Sequence, residues 1–141
     1  MLLNLETDPR DASSCCLTYD EANQWLRATW SGYVDPLEAL NGAAAYLRHA
    51  AHTPSPYLLN DNSQLRGPWF DSLDWLAEVW VPQAVALGLR YVAHVRQADR
   101  HADMLPSRLP DSIAFDLQIF DNVVDAQHWL HECQASRKPR S

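Results

Sequence analysis

The chain has 141 residues, 47% of them hydrophobic and 21% charged, which is ordinary globular usage and enough length for one domain around one core. A formal net charge of −7 argues against nucleic acid as a partner, because the one dense basic run, Arg137-Lys138-Pro139-Arg140, sits at the extreme end of the sequence. No stretch approaches the roughly 18 apolar residues of a membrane-spanning helix, and Met1-Leu2-Leu3 runs at once into Asn4, Glu6 and Asp8, so a cytoplasmic protein without membrane insertion is expected.

Residues 1–14 carry charge and a proline without apolar periodicity and read as a loose lead-in. From Cys15 the pattern changes. Cys16-Leu17-Thr18-Tyr19 and Gln24 to Trp30 are β-like runs flanking the polar Asp20-Glu21-Ala22-Asn23, which predicts an antiparallel hairpin. In its second strand Leu26, Ala28 and Trp30 share the face expected to meet the core, with Trp25, Arg27 and Thr29 on the other. Cys15, Cys16 and Cys133 give an odd count, and neighbours in a strand point apart, so reduced thiols are expected rather than a disulfide framework.

After Ser31-Gly32-Tyr33, a helix start is written in Asp35 (N-cap), Pro36 (first turn) and Glu38 (capping box). The spacing predicts a helix to about Ala51 that buries Leu37, Leu40, Ala44 and Leu47, flanked by Ala43 and Tyr46. His49 and His52 near its end read as solvated histidines favoured by the helix dipole rather than as a metal pair.

Tyr57-Leu58-Leu59-Asn60-Asp61 follows two prolines and runs straight into Asn62-Ser63-Gln64-Leu65-Arg66-Gly67-Pro68. It reads as a short buried strand that delivers polar side chains to the rim of a sheet. Phe70 to Trp80 then has helical character; Pro82 kinks it or starts a second segment, Val81 to Leu87, which Gly88 stops. Leu89 to Val95 is the next strand, and Gln97 to Leu105 a weaker helical segment. Phe115 to Phe120 alternates as the last strand. Asp121 is positioned to cap a final helix from Asn122 to about Cys133, burying Val124, Trp129 and Leu130.

The order β-β-α-β-α-β-α-β-α predicts a single α/β domain over residues 15–133, with residues 134–141 as a flexible basic tail. Its sheet has about five strands, mostly parallel, with the amino-terminal hairpin as antiparallel edge and four or so helices on its faces.

Leu58-Leu59-Asn60-Asp61 with the later Gly67, the strand entry Gly88-Leu89-Arg90-Tyr91-Val92-Ala93-His94-Val95, and Ile119-Phe120-Asp121 followed by Asp125-Ala126-Gln127-His128-Trp129-Leu130 occur in an order and spacing that resembles the STAS superfamily, most closely its SpoIIAA-like single-domain members. The resemblance spans roughly residues 15 to 133. It implies a regulatory domain that works by binding a partner protein, a nucleotide or an apolar small molecule. In the anti-sigma-factor-antagonist branch a strand-end Asp is followed by Asp-Ser-x-Gly, whose Ser is phosphorylated. This chain has Asp61 and then Asp71-Ser72-Leu73-Asp74, without the glycine and after a longer gap, so Ser72 stands as a candidate phosphorylation site or as a helix cap.

Three other kinds of chemistry fit the sequence less well. Nucleophilic catalysis would draw on Asp61, Ser63, His94 and His101, but no Gly-x-Ser-x-Gly elbow is present and His94 lies inside an apolar strand. A metal site would need more than His128 and His131, because Cys133 falls on another side of that helix. Four dispersed glycines make no phosphate cradle, and no cofactor is expected.

The expected function is therefore non-enzymatic binding of a partner protein, or of a small apolar or nucleotide-like ligand, at the carboxyl-terminal rim of the sheet. Asp61, Asn62, Ser63, Arg66, Trp69 and Trp75 are the candidate residues. A small hydrolase using a Ser/His/Asp set near that rim is the alternative. Asp61 and Ser63 could instead bond only their own backbone as an Asx turn. Trp69, Phe70, Trp75 and Trp80, crowded around a proline-broken helix, are more aromatic surface than one small helix buries, and they motivate the expectation of a homodimer.

Overall fold

Six strands, each hydrogen-bonded to the next in chain order, form the sheet of this computed structural model, which describes residues 2–8, 13–34, 36–66, 76–97 and 115–137. The strands are β1 (Leu2–Asp8), β2 (Ser13–Asp20), β3 (Trp25–Gly32), β4 (Tyr57–Leu65), β5 (Tyr91–Val95) and β6 (Asp116–Phe120). The first two pairings are antiparallel and the remaining three parallel. The mostly parallel α/β sheet with its amino-terminal antiparallel edge is as the sequence predicts. The correction lies at the start of the chain. The expected lead-in contains β1, an additional strand paired along β2, and β2 itself begins at Ser13. Charge disguises it in the sequence, because an edge strand tolerates charged residues without strict apolar alternation.

Between β3 and β4 runs helix α1 (Pro36–Ala50); a π-helical turn (Leu76–Trp80) leads directly into α2 (Val81–Ala86); and α3 (Val123–Arg137) follows β6. Pro82 falls in the first turn of α2, where its missing N–H costs nothing, and Gly88, at φ 105°, reverses the chain into β5. The N-cap position Asp35, the helical stretch before Leu76, and all but Gln97 of the expected Gln97–Leu105 helix lie outside the described residues. The last helix extends past the expected stop at Cys133 to Arg137.

Each face of the sheet carries its own core. On one face Leu26, Ala28 and Trp30 of β3, Leu58 of β4 and Val92 of β5 pack with Ala39, Ala43, Tyr46 and Ala50 of α1 and with Trp80, Val81 and Ala84. On the other, Trp25, Tyr57, Leu59, Ala93 and Val95 pack with Ala126, Leu130 and Cys133 of α3. Trp25 was expected to face away from the core; it is wholly buried because that second face is also covered. The α1 stripe is also rotated from the expected one. Leu37 is 67% exposed, while the small residues Ala39, Gly42, Ala43 and Ala45 and the ring of Tyr46 are buried, which lets the helix lie close on the Trp30 side of the sheet. Trp80 anchors the π-helical turn by donating its indole N–H to the Ala43 carbonyl at 3.1 Å, with its ring 5.2 Å from that of Tyr46.

Gly42 marks the tightest approach. A Cβ there would lie 2.7 Å from Cη2 of Trp30 and 2.9 Å from Sγ of Cys15. Gly42→Ala is expected to lower stability by about 1–3 kcal/mol through overpacking, less the roughly 1 kcal/mol that alanine gains in a helix. Urea denaturation should show a net loss; a variant more stable than the wild type would mean that the α1 contact is looser than described.

All three cysteines are thiols, with Cys15 and Cys133 buried and Cys16 half-buried. Burial, and after it the carboxylates of Asp116 and Glu132, push the Cys133 thiol above its ordinary value. Native protein should therefore react with a disulfide reagent first at Cys16, with Cys15 and Cys133 modified only on unfolding. Equal rates at Cys16 and Cys133 in mass-mapped peptides would contradict this.

Two local details bear on the ends of the sheet. In the β2–β3 turn, Asp20 accepts from the Asn23 side chain at 2.8 Å and from its backbone N–H at 3.1 Å, and Gln24 takes φ 61°. The Asn23 side-chain bond is the main cause holding the Asp20 carboxyl below its ordinary value, so its contribution is present above the usual carboxylate range and fades as pH falls through the lowered value. At the start of α3 the cap is Asn122 rather than Asp121: Asn122 Oδ1 accepts from the Asp125 N–H at 2.8 Å. Asp121 instead receives the Arg96 guanidinium, tying the ends of β5 and β6 together. With the helix phased from Asn122, Val124 is 73% exposed, and Ala126, Leu130 and Cys133 are the buried positions.

Candidate functional site

The Asp61-Asn62-Ser63 segment does not follow β4 but belongs to it. The strand continues to Leu65, and its register against β3 steps from Thr29↔Asp61 to Ser31↔Gln64, one residue more on β4 than on β3. That bulge preserves the core, since it turns Gln64 outward and brings Leu65 in beside Gly32. Alternation before it sends Asn60 and Asn62 to the α1 face and Asp61 to the α3 face. The polar run predicted at the rim is therefore split into two separate groups.

On the α3 face Asp61 is 4% exposed and both its oxygens are occupied. Oδ2 accepts from the Arg27 guanidinium at 2.9 Å; Oδ1 accepts from the Ser63 N–H at 2.9 Å and from the Ser63 hydroxyl at 2.6 Å. The Ser63 bonds are those of an Asx turn, and they hold the bulge. Arg27 remains 30% exposed. Beside it, at the hairpin end, lies an open depression lined by Thr18, Tyr19, Asp20, Glu21 and Arg27.

On the α1 face a buried polar network joins three strands. The Trp30 indole N–H donates to Asn60 Oδ1 at 2.9 Å, and Asn60 Nδ2 lies 3.1 Å from Asn62 Oδ1 and 2.9 Å from His94 Nδ1. Asn60 is 7% exposed and Asn62 and His94 not at all, and Gln97, just past β5, is likewise buried. Asn60 and His94 are register partners, which places their side chains side by side.

Of the predicted positions, Arg66 is exposed at the end of β4, its N–H bonded to the Gly32 carbonyl. Trp69, Ser72, Trp75, Phe70 and His101 lie outside the described residues. Ser63 and His94, members of the alternative catalytic set, project from opposite faces of the sheet, and the Ser63 hydroxyl is bonded to Asp61. Tyr33, which follows the Gly32 bonded to Arg66, and Leu37, which the sequence reading placed in the buried stripe, are large exposed apolar side chains. On α3, His128 pairs with Glu132 at 3.0 Å, the His131 ring lies 4.9 Å from that of Trp25, and Cys133 is buried. Among the described residues no helix is long and apolar enough to cross a membrane.

No protein-family profile and no curated protein matches this chain. Among solved structures it is similar to an uncharacterized protein of the DUF3478 family from Shewanella loihica PV-4, described as having a SpoIIAA-like fold. The identity is 14%, the match covers 89% of this chain and 98% of that one, and the TM-score is 0.45.

Three residues with structural work at this site were not marked by the sequence reading: Arg27 as the partner of Asp61, Trp30 as a donor, and Asn60 as the acceptor that receives it. A signal existed for the first and third. Arg27 interrupts an otherwise apolar strand, and Asn60 and Asn62 stand two apart in a strand predicted to be buried, where an amide side chain requires partners.

Proposed function

We propose that this chain is a non-enzymatic regulatory domain that binds a partner protein through the rim at the carboxyl ends of β3 and β4, in the cytoplasm and as a homodimer. The observation that carries the reading is the separation of Ser63 and Asp61 from His94 by the thickness of the sheet. Nucleophilic catalysis needs a serine within reach of a histidine oriented by a carboxylate, whereas here Ser63 and Asp61 bond each other on one face and His94 meets Asn60 on the other. What the rim offers instead is contact surface. Tyr33, at 60% exposure, follows the Gly32 whose carbonyl receives the N–H of the exposed Arg66, and Leu37, at 67%, lies in the first turn of α1; exposed aromatic, apolar and cationic side chains of this kind anchor protein interfaces.

The test replaces Tyr33, and separately Leu37, with a photo-cross-linking amino acid in the full chain, expressed in its own cells. A discrete adduct of defined mass is expected from both positions and its yield should fall on adding Arg66→Glu; adducts only of twice the chain mass would identify the partner as a second copy. Smeared or absent adducts from both positions, with efficient cross-linking from the α3 surface, would move the docking face elsewhere.

A further inference from the structure

The carboxyl end of α3 and the β2–β3 turn meet at one end of the molecule. Gln134, less than one turn before the helix ends at Arg137, donates its side-chain N–H to the Asn23 carbonyl at 2.6 Å. That bond fixes where the chain leaves the helix. Next in sequence stands the one dense basic run, Arg137-Lys138-Pro139-Arg140, of a chain whose net charge is −7. The surface beside this exit is acidic. Glu21 is exposed and Asp20 half-buried, and with Thr18, Tyr19 and Arg27 they line an open depression of about 540 Å3, a volume that suits a few side chains rather than a folded domain. Thr18 pairs across the strands with Arg27, and Asp20 with Trp25, which turns these side chains to the face that carries α3. Arg27 is already paired with Asp61 at 2.9 Å, and Asp20 is bonded to Asn23. Neither Asp20 nor Glu21 therefore has a cation of its own among the described residues.

We propose that the chain carries its own occupant for this depression: the Lys138-Pro139-Arg140 segment docks back along the β2–β3 turn, its two cations against the Asp20 and Glu21 carboxylates. Reach allows it, since three extended residues cover about 10 Å from a helix end already bonded to the turn. Each exposed ion pair is weak alone, and the tether offsets this by holding the segment at an effective concentration on the order of millimolar. A basic segment of another protein has to displace the tail to reach the same carboxylates. The depression lies at the Trp25 end of β3, opposite the Gly32–Arg66 rim, so this contact is independent of the partner rim. Cations beyond a helix end are also favoured by the helix dipole, but that attraction does not depend on Glu21.

The test records 1H–15N spectra and heteronuclear Overhauser effects of the full 15N-labelled chain at low salt, for the wild type, Lys138→Glu/Arg140→Glu, Glu21→Lys and the three changes together. Reversing the tail should shift the Ala22 and Asn23 amide signals and lower the Overhauser values of the Lys138 and Arg140 positions. Glu21→Lys alone should lower the tail values too, and the triple variant, with both charges exchanged, should restore them. In about 0.5 M sodium chloride, where exposed charges are screened within a few ångström, the differences should vanish. Turn signals indifferent to the tail reversal, or tail values indifferent to Glu21→Lys as the dipole alone would leave them, would overturn the proposal. So would shifts that fade on dilution, which would assign the contact to the tail of a second copy.

Discussion

Asn60→Leu is expected to unfold at a far lower urea concentration than the wild-type chain. The substitution keeps much of the volume but removes the acceptor of the Trp30 N–H and the donor shared by His94 Nδ1 and Asn62 Oδ1. At about 1–3 kcal/mol for each polar group stranded in the interior, the loss should be on the order of 5 kcal/mol, comparable with the whole stability of many small domains. An equilibrium urea titration read by tryptophan fluorescence measures it directly. A loss below about 1 kcal/mol would mean that the three groups find other partners and that the network does not order this end of the sheet.

Asp61→Ala should cost about 2 kcal/mol, the upper range for a lost side-chain cap, because the two Ser63 bonds that hold the bulge disappear together with the Arg27 ion pair. The ion pair contributes the smaller share, since Arg27 is 30% exposed and can return to water. Asp61→Asn retains the Oδ1 acceptor for Ser63 and should lose roughly half as much by the same reckoning. Cross-linking from Tyr33 should be unchanged in both. A variant with wild-type stability and lost cross-linking would make Asp61 a direct partner contact instead of a turn residue.

The sequence exposed the fold where one physical signal dominated. Apolar alternation marked β3 and β5, Pro82 and Gly88 bracketed α2, and the β-α-β succession gave the parallel half of the sheet. It was silent on β1 because an edge strand needs little apolar surface. The α1 stripe is out of phase with its leucines because the close approach at Gly42 favours small residues and leaves Leu37 outside. Asp121 and Asn122 are both good caps, and only the reach of Arg96 decides which is free to serve.

At the candidate site, residue types were legible and their grouping was not. Asp61, Asn62 and Ser63 are consecutive, which suggested one rim; the period of two in a strand separates them onto two faces, and neither the length of β4 nor its bulge is written in local composition. The pairings Arg27–Asp61 and Asn60–His94 each join residues 34 positions apart and depend on strand register.

The division of β4 into an α3-side turn and an α1-side network is tested most directly by the nitrogen signals of the His94 ring, recorded by long-range 1H–15N correlation in the wild type, Asp61→Ala and Ser63→Ala. The expected result is an Nδ1 shift that coincides in all three, because Nδ1 lies 2.9 Å from the Asn60 amide on the α1 face while Asp61 and Ser63 bond each other on the α3 face. A change of tautomer, or a large Nδ1 shift on removing either the Asp61 carboxylate or the Ser63 hydroxyl, would place the three side chains in one site and contradict it.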